Sequence, residues 1–203
     1  MIEIRMLNKD YLSNIRKAAM NTIGKKNIEE SQMSPELFYK YLISEHSPIR
    51  AAFMEVIFRG ISYPSSVHFA RHVHTTHYVT TSRPDRTGKE RSTTRKVDHM
   101  MVLNLQALTD MMRKRLCIGK VEKETYEWAL SLKMKLMNSA DPYLQMIGKV
   151  LVPNGVYKNA CTEFKSCGFC INAVSLLERN ALMSITNRYD AYNDFLREKT
   201  GGI

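Results

Sequence analysis

Residues Ser66–Arg86, SVHFARHVHTTHYVTTSRPDR, form the most distinctive stretch of this sequence. The stretch contains four histidines and three arginines among hydroxyl and aromatic side chains, and its first acidic residue is Asp85. A guanidinium group presents a rigid fork of donors that matches the oxygens of a phosphate. The composition therefore favours a site for a phosphorylated ligand. The alternatives are a solvated basic segment, or a surface that binds nucleic acid without chemistry.

The length and composition indicate an ordinary globular protein. A chain of 203 residues can bury a proper core, and its 44% hydrophobic and 25% charged residues are typical of soluble domains. No apolar run approaches the roughly 18 residues of a membrane span, and the first residues lack the layout of a secretory signal. We expect one domain, covering residues 1–203, in the cytoplasm and without a membrane partner.

The formal net charge of +10 indicates anionic partners. The positive charge is not gathered into one tail, because it recurs in Arg83–Arg95 and again in Arg113–Arg115. A polyanion and a small phosphorylated substrate would both suit this distribution.

Apolar periodicity predicts mainly helices. The predicted helices are Leu12–Ile23, Pro35–Ile43, Val67–His72, Val102–Cys117, Lys123–Met137, Pro142–Val150 and most of Asn172–Leu196, with a break near Ser184. The clearest strand signal runs from Ala51 to Phe58, which is apolar on nearly both faces and therefore predicts a central strand. Turns or loops are predicted at Gly60–Ser66, Ser82–Ser92 and Pro153–Gly155. The predicted fold class is α+β, a mostly helical single domain around a small central β-sheet.

Several short motifs, taken in chain order, resemble the flavin-dependent thymidylate synthases. The motifs are Glu45–Pro48, His68–His72, Thr81–Arg83, Asn104–Gln106 with Asp110, Arg115–Cys117, Cys161–Glu163 and Cys167–Gly168. The family signature is Arg-His-Arg, seven residues, then Ser, usually with Arg two positions later. Here Arg71-His72-Val73 is followed after seven residues by Thr81 and then by Arg83.

The resemblance implies a role for each matching residue. The nucleotide, mainly its phosphate, would be held by His68, Arg71, Thr81, Ser82 and Arg83. The flavin would be held by Ser47, Arg71, His72, His74, Asn104, Gln106 and Asp110, with Ser47 reaching across a subunit interface. Arg115 would be catalytic, because it matches an arginine at the pyrimidine that favours the anionic form of N3, and a guanidinium stabilises developing negative charge.

Two of these assignments can be read in structural terms. His74, like its neighbour His77, can instead be a solvated or packing residue. Positions two and six residues after Asn104 do not lie on one helical stripe, so the long helix would be gripped along an edge.

The resemblance also implies the reaction and the assembly. Members of the family methylate dUMP to dTMP with methylenetetrahydrofolate as carbon donor and NADPH-reduced FAD as hydride source. They are homotetramers with active sites at subunit interfaces. The flavin supplies the difficult chemistry, and the protein supplies placement and charge.

This sequence departs from the family pattern at several positions. Val73 replaces the second signature arginine, which removes one cation. The other departures are His68 for glutamine, Thr81 for serine, Gln106 for arginine and Asp110 for asparagine, with Arg91 or Arg95 as candidates for a further nucleotide-binding arginine. These departures suggest a divergent branch, so the pyrimidine or the transferred group can differ.

Four cysteines raise the question of a metal. Cys117, Cys161, Cys167 and Cys170 can supply four thiolates to zinc, but a second C-x2-C pair is missing. We therefore predict free thiols and no metal.

Three functions remain to be weighed. The first is dUMP methylation, and the second is another flavin-dependent modification, such as hydroxymethylation of dUMP or action on uracil within a nucleic acid. The third is a non-enzymatic protein that binds nucleic acid. Few aromatic residues interleave with the basic ones, which disfavours a stacking platform, so nucleic acid is not the expected partner.

Overall fold

The computed structural model describes residues 1–25, 33–92, 94–161, 163–164, 166–169 and 184–200, without the side chain of Thr200. The strands are β1 (Ile2–Met6), β2 (Phe53–Ser62), β3 (Thr75–Val79) and β4 (Lys96–Asn104). The helices are α1 (Tyr11–Thr22), α2 (Pro35–Ile43), α3 (Tyr63–Ala70), α4 (Pro84–Thr87), α5 (Leu105–Arg115), α6 (Lys123–Met137), α7 (Pro142–Val150), α8 (Asn154–Lys158) and α9 (Ile185–Thr200), and a 3₁₀ helix covers Ser47–Ala51. The mostly helical α+β class is confirmed.

The chain divides into two compact units. The first comprises Met1–Ser34 and His46–Leu108 and contains the sheet. The second comprises Pro35–Glu45 and Thr109–Ile203, and its described elements are helices. That residues 1–203 act as one domain stays a prediction.

The sheet of the first unit has the strand order β1-β2-β4-β3 and is antiparallel throughout. The predicted strand is therefore confirmed as central. Its core-facing residues Met54, Val56 and Phe58 are fully buried. Helix α3 covers this face, where the Phe58 and Phe69 rings lie 4.8 Å apart.

The opposite face of the sheet carries ion pairs. Arg59 of β2 joins Glu3 of β1 at 2.8 Å and Asp98 of β4 at 2.9 Å. A bulge follows, because Gly60 adopts φ +72° and donates its N–H to Asp98. The predicted turn at Gly60–Ser66 is wrong, since the strand continues through this bulge to Ser62.

Ser62 ends the strand and begins α3. Its hydroxyl accepts a hydrogen bond from the backbone N–H of Ser65, and Pro64 lies in the first turn. The helix therefore begins earlier than predicted and ends at Ala70, just before Arg71.

Helix α5, predicted as Val102–Cys117, begins later than predicted. Alternate residues Val97, His99, Met101 and Leu103 are buried, so this stretch is strand β4 and helix α5 begins at Leu105. The predicted turn at Pro153–Gly155 is instead the start of α8. The predicted bounds of α2, α6 and α7 are confirmed. Of the predicted helix Asn172–Leu196, the residues before Ser184 lie outside the described part.

The second unit is held by close helix packing. The rings of Phe38 in α2 and Tyr143 in α7 meet edge to face at 5.6 Å. Gly148 of α7 has no room for a side chain, because an added Cβ would lie 2.7 Å from the backbone nitrogen of Met137. Glycine here lets α7 approach the end of α6.

Among the described residues, no helix combines the length and the apolar composition that crossing a membrane requires.

Candidate functional site

The strand register brings three predicted segments to one end of the sheet. Phe53 at the start of β2 lies opposite Asn104 at the end of β4, and Thr75 at the start of β3 lies opposite Leu103. The 3₁₀ helix that contains Ser47 leads into β2, and the Arg71–His74 turn leads into β3. The backbone N–H of Leu105 also bonds the carbonyl of Ala52 at 3.1 Å, which ties two of these segments together.

The turn between α3 and β3 is fixed through the backbone of His72. Its N–H donates to the carbonyl of Phe69 at 3.2 Å, and its carbonyl accepts the N–H of Thr75 at 3.2 Å. The same carbonyl accepts a bond from a ring nitrogen of His77 at 3.2 Å. The His72 side chain is half-buried on this turn.

The side chains around this turn fit an anionic, polar ligand. Arg71 is exposed at the end of α3, and in the described part of the chain no carboxylate pairs with it. The hydroxyl of Thr75 is buried and has no hydrogen-bond partner among the described residues. His68 is half-buried and His74 exposed, while Val73 is 87% exposed where the family pattern has an arginine.

The predicted nucleotide residues Thr81, Ser82 and Arg83 lie at the other end of β3. Val79 pairs with His99, and the backbone N–H of Thr80 bonds the carbonyl of Asp98 at 2.9 Å. Six residues of extended chain from Thr75 to Thr81 span about 20 Å. The structure therefore separates these residues from the Arg71–His74 turn of the same chain.

Arg83 is already paired in this structure. Its guanidinium grips the carboxylate of Asp85 through two hydrogen bonds of 3.1 and 2.7 Å, and both side chains are more than half exposed. A phosphate would replace a carboxylate of similar geometry. The Thr81 hydroxyl accepts the backbone N–H of Arg83 at 3.2 Å.

Arg95, a candidate for a further nucleotide-binding arginine, has a structural role. Its guanidinium donates to the carbonyls of Thr80 at 2.8 Å and Thr81 at 2.6 Å, so it holds the strand end in place. The other candidate, Arg91, is exposed.

Asn104 lies at the junction of β4 and α5 and caps the helix. Its side-chain oxygen accepts the N–H of Ala107 at 2.9 Å. Because Asn104 precedes the helix, the expected grip along a helix edge does not apply to it. Gln106 and Asp110 are four residues apart and share one stripe of α5.

Asp110 and Arg115 belong to the second unit. Oδ1 of Asp110 lies 3.3 Å from Nη1 of Arg113. Arg115 is half-buried at the last residue of α5, and five residues after Asp110 it projects about 140° around the helix axis.

Arg113 has a structural role that its place in a run of basic residues does not reveal. Arg113 forms a buried fork with Glu45, and its guanidinium carbon lies 3.5 Å from the centre of the Tyr157 ring. Burial lowers the pKa of Arg113, but the contacts with Glu45 and Tyr189 outweigh burial and the net direction is upward. The sequence signal that could have indicated this pairing was Glu45, an acidic residue within the first family motif.

A second missed feature is a buried hydrogen-bonded chain in the first unit. Ser66, His99 and His77 are joined through their side chains by contacts of 3.0 Å each. Burial, and then the proximity of His77, lower the pKa of His99 to about 4, so this imidazole is neutral near pH 7.

Lys133 is fully buried in the second unit, and no sequence motif marks it. Its ammonium donates to the carbonyl of Gly148 at 2.8 Å and to the side-chain oxygen of Asn193 at 2.7 Å. Burial, and then repulsion from Arg197, lower its pKa to about 7.

Three of the four cysteines lie together. Cys117, Cys161 and Cys167 line one small cavity of about 20 Å³ with Glu163, and burial raises the pKa of Cys117. No group of three or more metal-ligating side chains with suitable geometry occurs among the described residues, and Cys170 lies outside them. That the thiols are free of metal stays a prediction.

Two solved structures share the fold. Thymidylate synthase X from Helicobacter pylori, crystallised with FAD and dUMP, aligns with a TM-score of 0.57 and 12% identity over 74% of this chain and 99% of that one. The UMP/dUMP methylase PolB from Streptomyces cacaoi, bound to 5-bromo-dUMP, gives a TM-score of 0.51 and 11% identity over 72% and 94%. No protein-family model matches the sequence, and no curated protein is significantly similar to it. The fold implied by the sequence resemblance is confirmed.

Proposed function

We propose that this chain is a FAD-dependent thymidylate synthase that methylates dUMP to dTMP with methylenetetrahydrofolate and NADPH. The observation that carries the proposal is the strand register, which gathers Ser47, the Arg71–His74 turn and Asn104 at one end of the sheet. This arrangement occurs in a fold shared with an enzyme crystallised with FAD and dUMP.

The flavin would be held at that end of the sheet. Arg71 offers a guanidinium that pairs with no carboxylate of the described chain, and Thr75 offers a buried hydroxyl that lacks a partner there. Such donors suit the phosphates and polar ring edge of a flavin nucleotide. His72, His74 and Gln106, which belong to the same unit, would complete the contacts. When bound, FAD would supply the hydride chemistry, which no protein side chain provides.

The nucleotide phosphate would be held by Thr81, Ser82 and Arg83, with His68 and Arg71 contributing. Within one chain, strand β3 separates the nucleotide-binding residues Thr81, Ser82 and Arg83 from the Arg71–His74 turn that would hold the flavin. The separation supports active sites shared between subunits, in which one chain lends its flavin end to one site and its nucleotide end to another. We expect a cytoplasmic homotetramer with Ser47 at an interface, and light scattering of the purified protein measures the assembly.

Arg115 would orient the pyrimidine and stabilise negative charge that develops on it. Arg115→Ala should lower turnover by about a hundredfold or more and leave FAD bound, since loss of one charge-stabilising donor costs that much in other enzymes. The matched control is Lys114→Ala, which removes a neighbouring exposed cation. Unchanged turnover in Arg115→Ala would contradict the assignment.

A second candidate is the modification of another uracil nucleotide or the transfer of another group. Val73, 87% exposed, stands where the family pattern has a cation, so the local charge differs. The shared fold also includes a methylase of UMP as well as dUMP. Mass spectrometry of products from dUMP and UMP separates methylation from hydroxymethylation.

The test begins with the visible spectrum of the protein mixed with FAD, before and after dUMP. Flavin bands that shift on adding dUMP would support both cofactor and substrate class. A protein that never takes up FAD would overturn the proposal and direct attention to nucleic acid, whose binding would weaken steeply with salt.

A further inference from the structure

We propose that Ser66, His99 and His77 are positioning residues, which form a one-way hydrogen-bond chain that ends on the backbone carbonyl of His72 and holds the Arg71–His74 turn. The consequence for ligand binding rests on the proposed function, because that function assigns this turn to the flavin. The chain itself is a property of the protein alone.

The three contacts form an unbroken path. The Ser66 hydroxyl lies 3.0 Å from Nδ1 of His99, and Nε2 of His99 lies 3.0 Å from Nδ1 of His77. Nε2 of His77 lies 3.2 Å from the carbonyl oxygen of His72. Each imidazole therefore uses both of its nitrogens.

For an uncharged His77 ring, the last contact sets the direction of the others. A carbonyl oxygen only accepts, so His77 carries a proton on Nε2, and in the uncharged ring Nδ1 is then an acceptor. His99 must then donate from Nε2, which leaves its own Nδ1 to accept the hydroxyl proton of Ser66. Both histidines are thereby held as the Nε2-protonated tautomer.

The burial of His99 and Ser66 leaves their polar atoms few alternative hydrogen-bond partners. His99 is 0% exposed and Ser66 is 1% exposed, so water does not offer them alternative partners. A buried polar group without a partner is costly, and each link therefore depends on the next. The same burial argues against a catalytic serine, since no substrate reaches the Ser66 hydroxyl.

The chain gives the turn a support outside its own backbone. The carbonyl of His72 accepts both the N–H of Thr75 and the ring of His77. The ring of His77 is itself anchored through His99 to helix α3, from which the turn departs. The turn and the sheet are thus linked through the side chains of Ser66, His99 and His77.

Nitrogen NMR of the ring-labelled, ligand-free protein near neutral pH tests the tautomers. We expect His77 and His99 to show protonated Nε2 and unprotonated Nδ1, assigned by the loss of signals in single variants. A His99 protonated on Nδ1, or a His77 protonated on both nitrogens, would overturn the proposal.

Two substitutions separate the two ends of His77. His77→Asn keeps an acceptor near Nδ1 but cannot reach the carbonyl of His72, whereas His77→Gln places a donor near Nε2 and should preserve that contact. The carbonyl carbon shift of His72 should change in His77→Asn and remain near wild type in His77→Gln. The matched control is Thr76→Asn, which alters the neighbouring exposed residue on the opposite face of β3.

FAD affinity is the second measurement. His77→Asn should weaken it by about three- to tenfold, the range for loss of one hydrogen bond, with His77→Gln and Thr76→Asn within about twofold of wild type. Equal losses in His77→Asn and Thr76→Asn would overturn the positioning role. If the wild-type protein binds no FAD, the proposed function fails, and the ring-nitrogen and carbonyl signals still decide whether the chain exists and holds the turn.

Discussion

Two arginine–carboxylate forks in this molecule have similar chemistry and opposite surroundings. In the fork of Arg113 and Glu45 the side chains are 10% and 18% exposed, and an aromatic ring covers the guanidinium. In the fork of Arg83 and Asp85 they are 57% and 56% exposed, and the partners are two residues apart. The buried fork is therefore part of the fold, whereas the guanidinium of the exposed fork is accessible to other anions, as the proposed function requires.

The largest expected effect comes from breaking the buried fork. Glu45→Gln should lower the free energy of unfolding by about 2–3 kcal/mol, because it removes the charged partner of the fork while Asp110 still lies 3.3 Å from Arg113. Asp85→Asn breaks the exposed fork in the same way and should cost less than about 1 kcal/mol. Urea denaturation of both variants measures the contrast. Similar losses in the two would show that burial does not separate the forks.

Lys133 sharpens the comparison, because it is a buried cation whose described partners are neutral oxygens. Its pKa of about 7 in the folded protein lies below the value of about 10.4 in an unfolded chain. The unfolded chain therefore binds more protons between these values, and stability rises with pH. We expect a gain of about 2 kcal/mol from about pH 7 to about pH 9, measured by urea denaturation.

The control for this gain is Lys133→Met, in which the rise should disappear. A rise that persists in the variant would assign it to another group.

His99 extends the comparison to a buried base. Its pKa of about 4 lies below the ordinary value of about 6.5, so the unfolded chain takes up the proton first as the pH falls. The stability that depends on neutral His99 is fully present above about pH 6.5 and is lost as the pH falls towards 4. We expect a loss of about 2 kcal/mol from about pH 7 to about pH 5.

The exposed His74 provides the reference. His74→Asn should keep the acid loss, whereas His99→Asn should flatten it. The opposite pattern would show that exposed histidines cause the loss of stability at acidic pH.

The smallest effect concerns the exposed fork and appears in binding rather than stability. Arg83→Ala should weaken dUMP affinity about tenfold, near 1.4 kcal/mol, because Asp85 already competes for the guanidinium. Asp85→Asn should strengthen that affinity by removing the competitor. Calorimetric titration of the two variants measures both changes in affinity. Changes in the same direction would contradict the proposal that the phosphate of dUMP replaces the Asp85 carboxylate at Arg83.

The sequence contained enough information for the helices that have one apolar stripe and clear ends. Pro35, Asp141 and Pro142 mark helix starts by local chemistry, and the structure begins helices there. Strand β2 was found because its apolar run is long and central.

The other strands were missed for physical reasons. In β4 the buried alternation from Val97 to Leu103 is interrupted by His99, a polar residue that tolerates a core position only because of Ser66 and His77. Leu103 also fits helical spacing with Ala107, which drew the predicted helix backwards. The polar residues of β3 signal an edge strand only when its partner is known.

The candidate site divides in the same way. Local motifs predicted Arg71, His72 and Asn104 as site residues, and each of these predictions depends on a short segment of sequence. Partnerships such as Arg113 with Glu45, or Arg95 with the carbonyls of Thr80 and Thr81, join residues that are distant along the chain and have no motif of their own. Only the three-dimensional structure pairs them.

The strand order also has a consequence during synthesis on the ribosome. Among the strands of the described residues, β4 is made last, yet it lies between β2 and β3 in the finished sheet. Until β4 emerges, β3 has no strand to pair with and His77 has no His99. The nascent chain therefore carries an unpaired strand and an incomplete histidine chain, a state in which chaperones bind other proteins. The Arg71–His74 turn is made before β4 and receives its support only after β4 has been made.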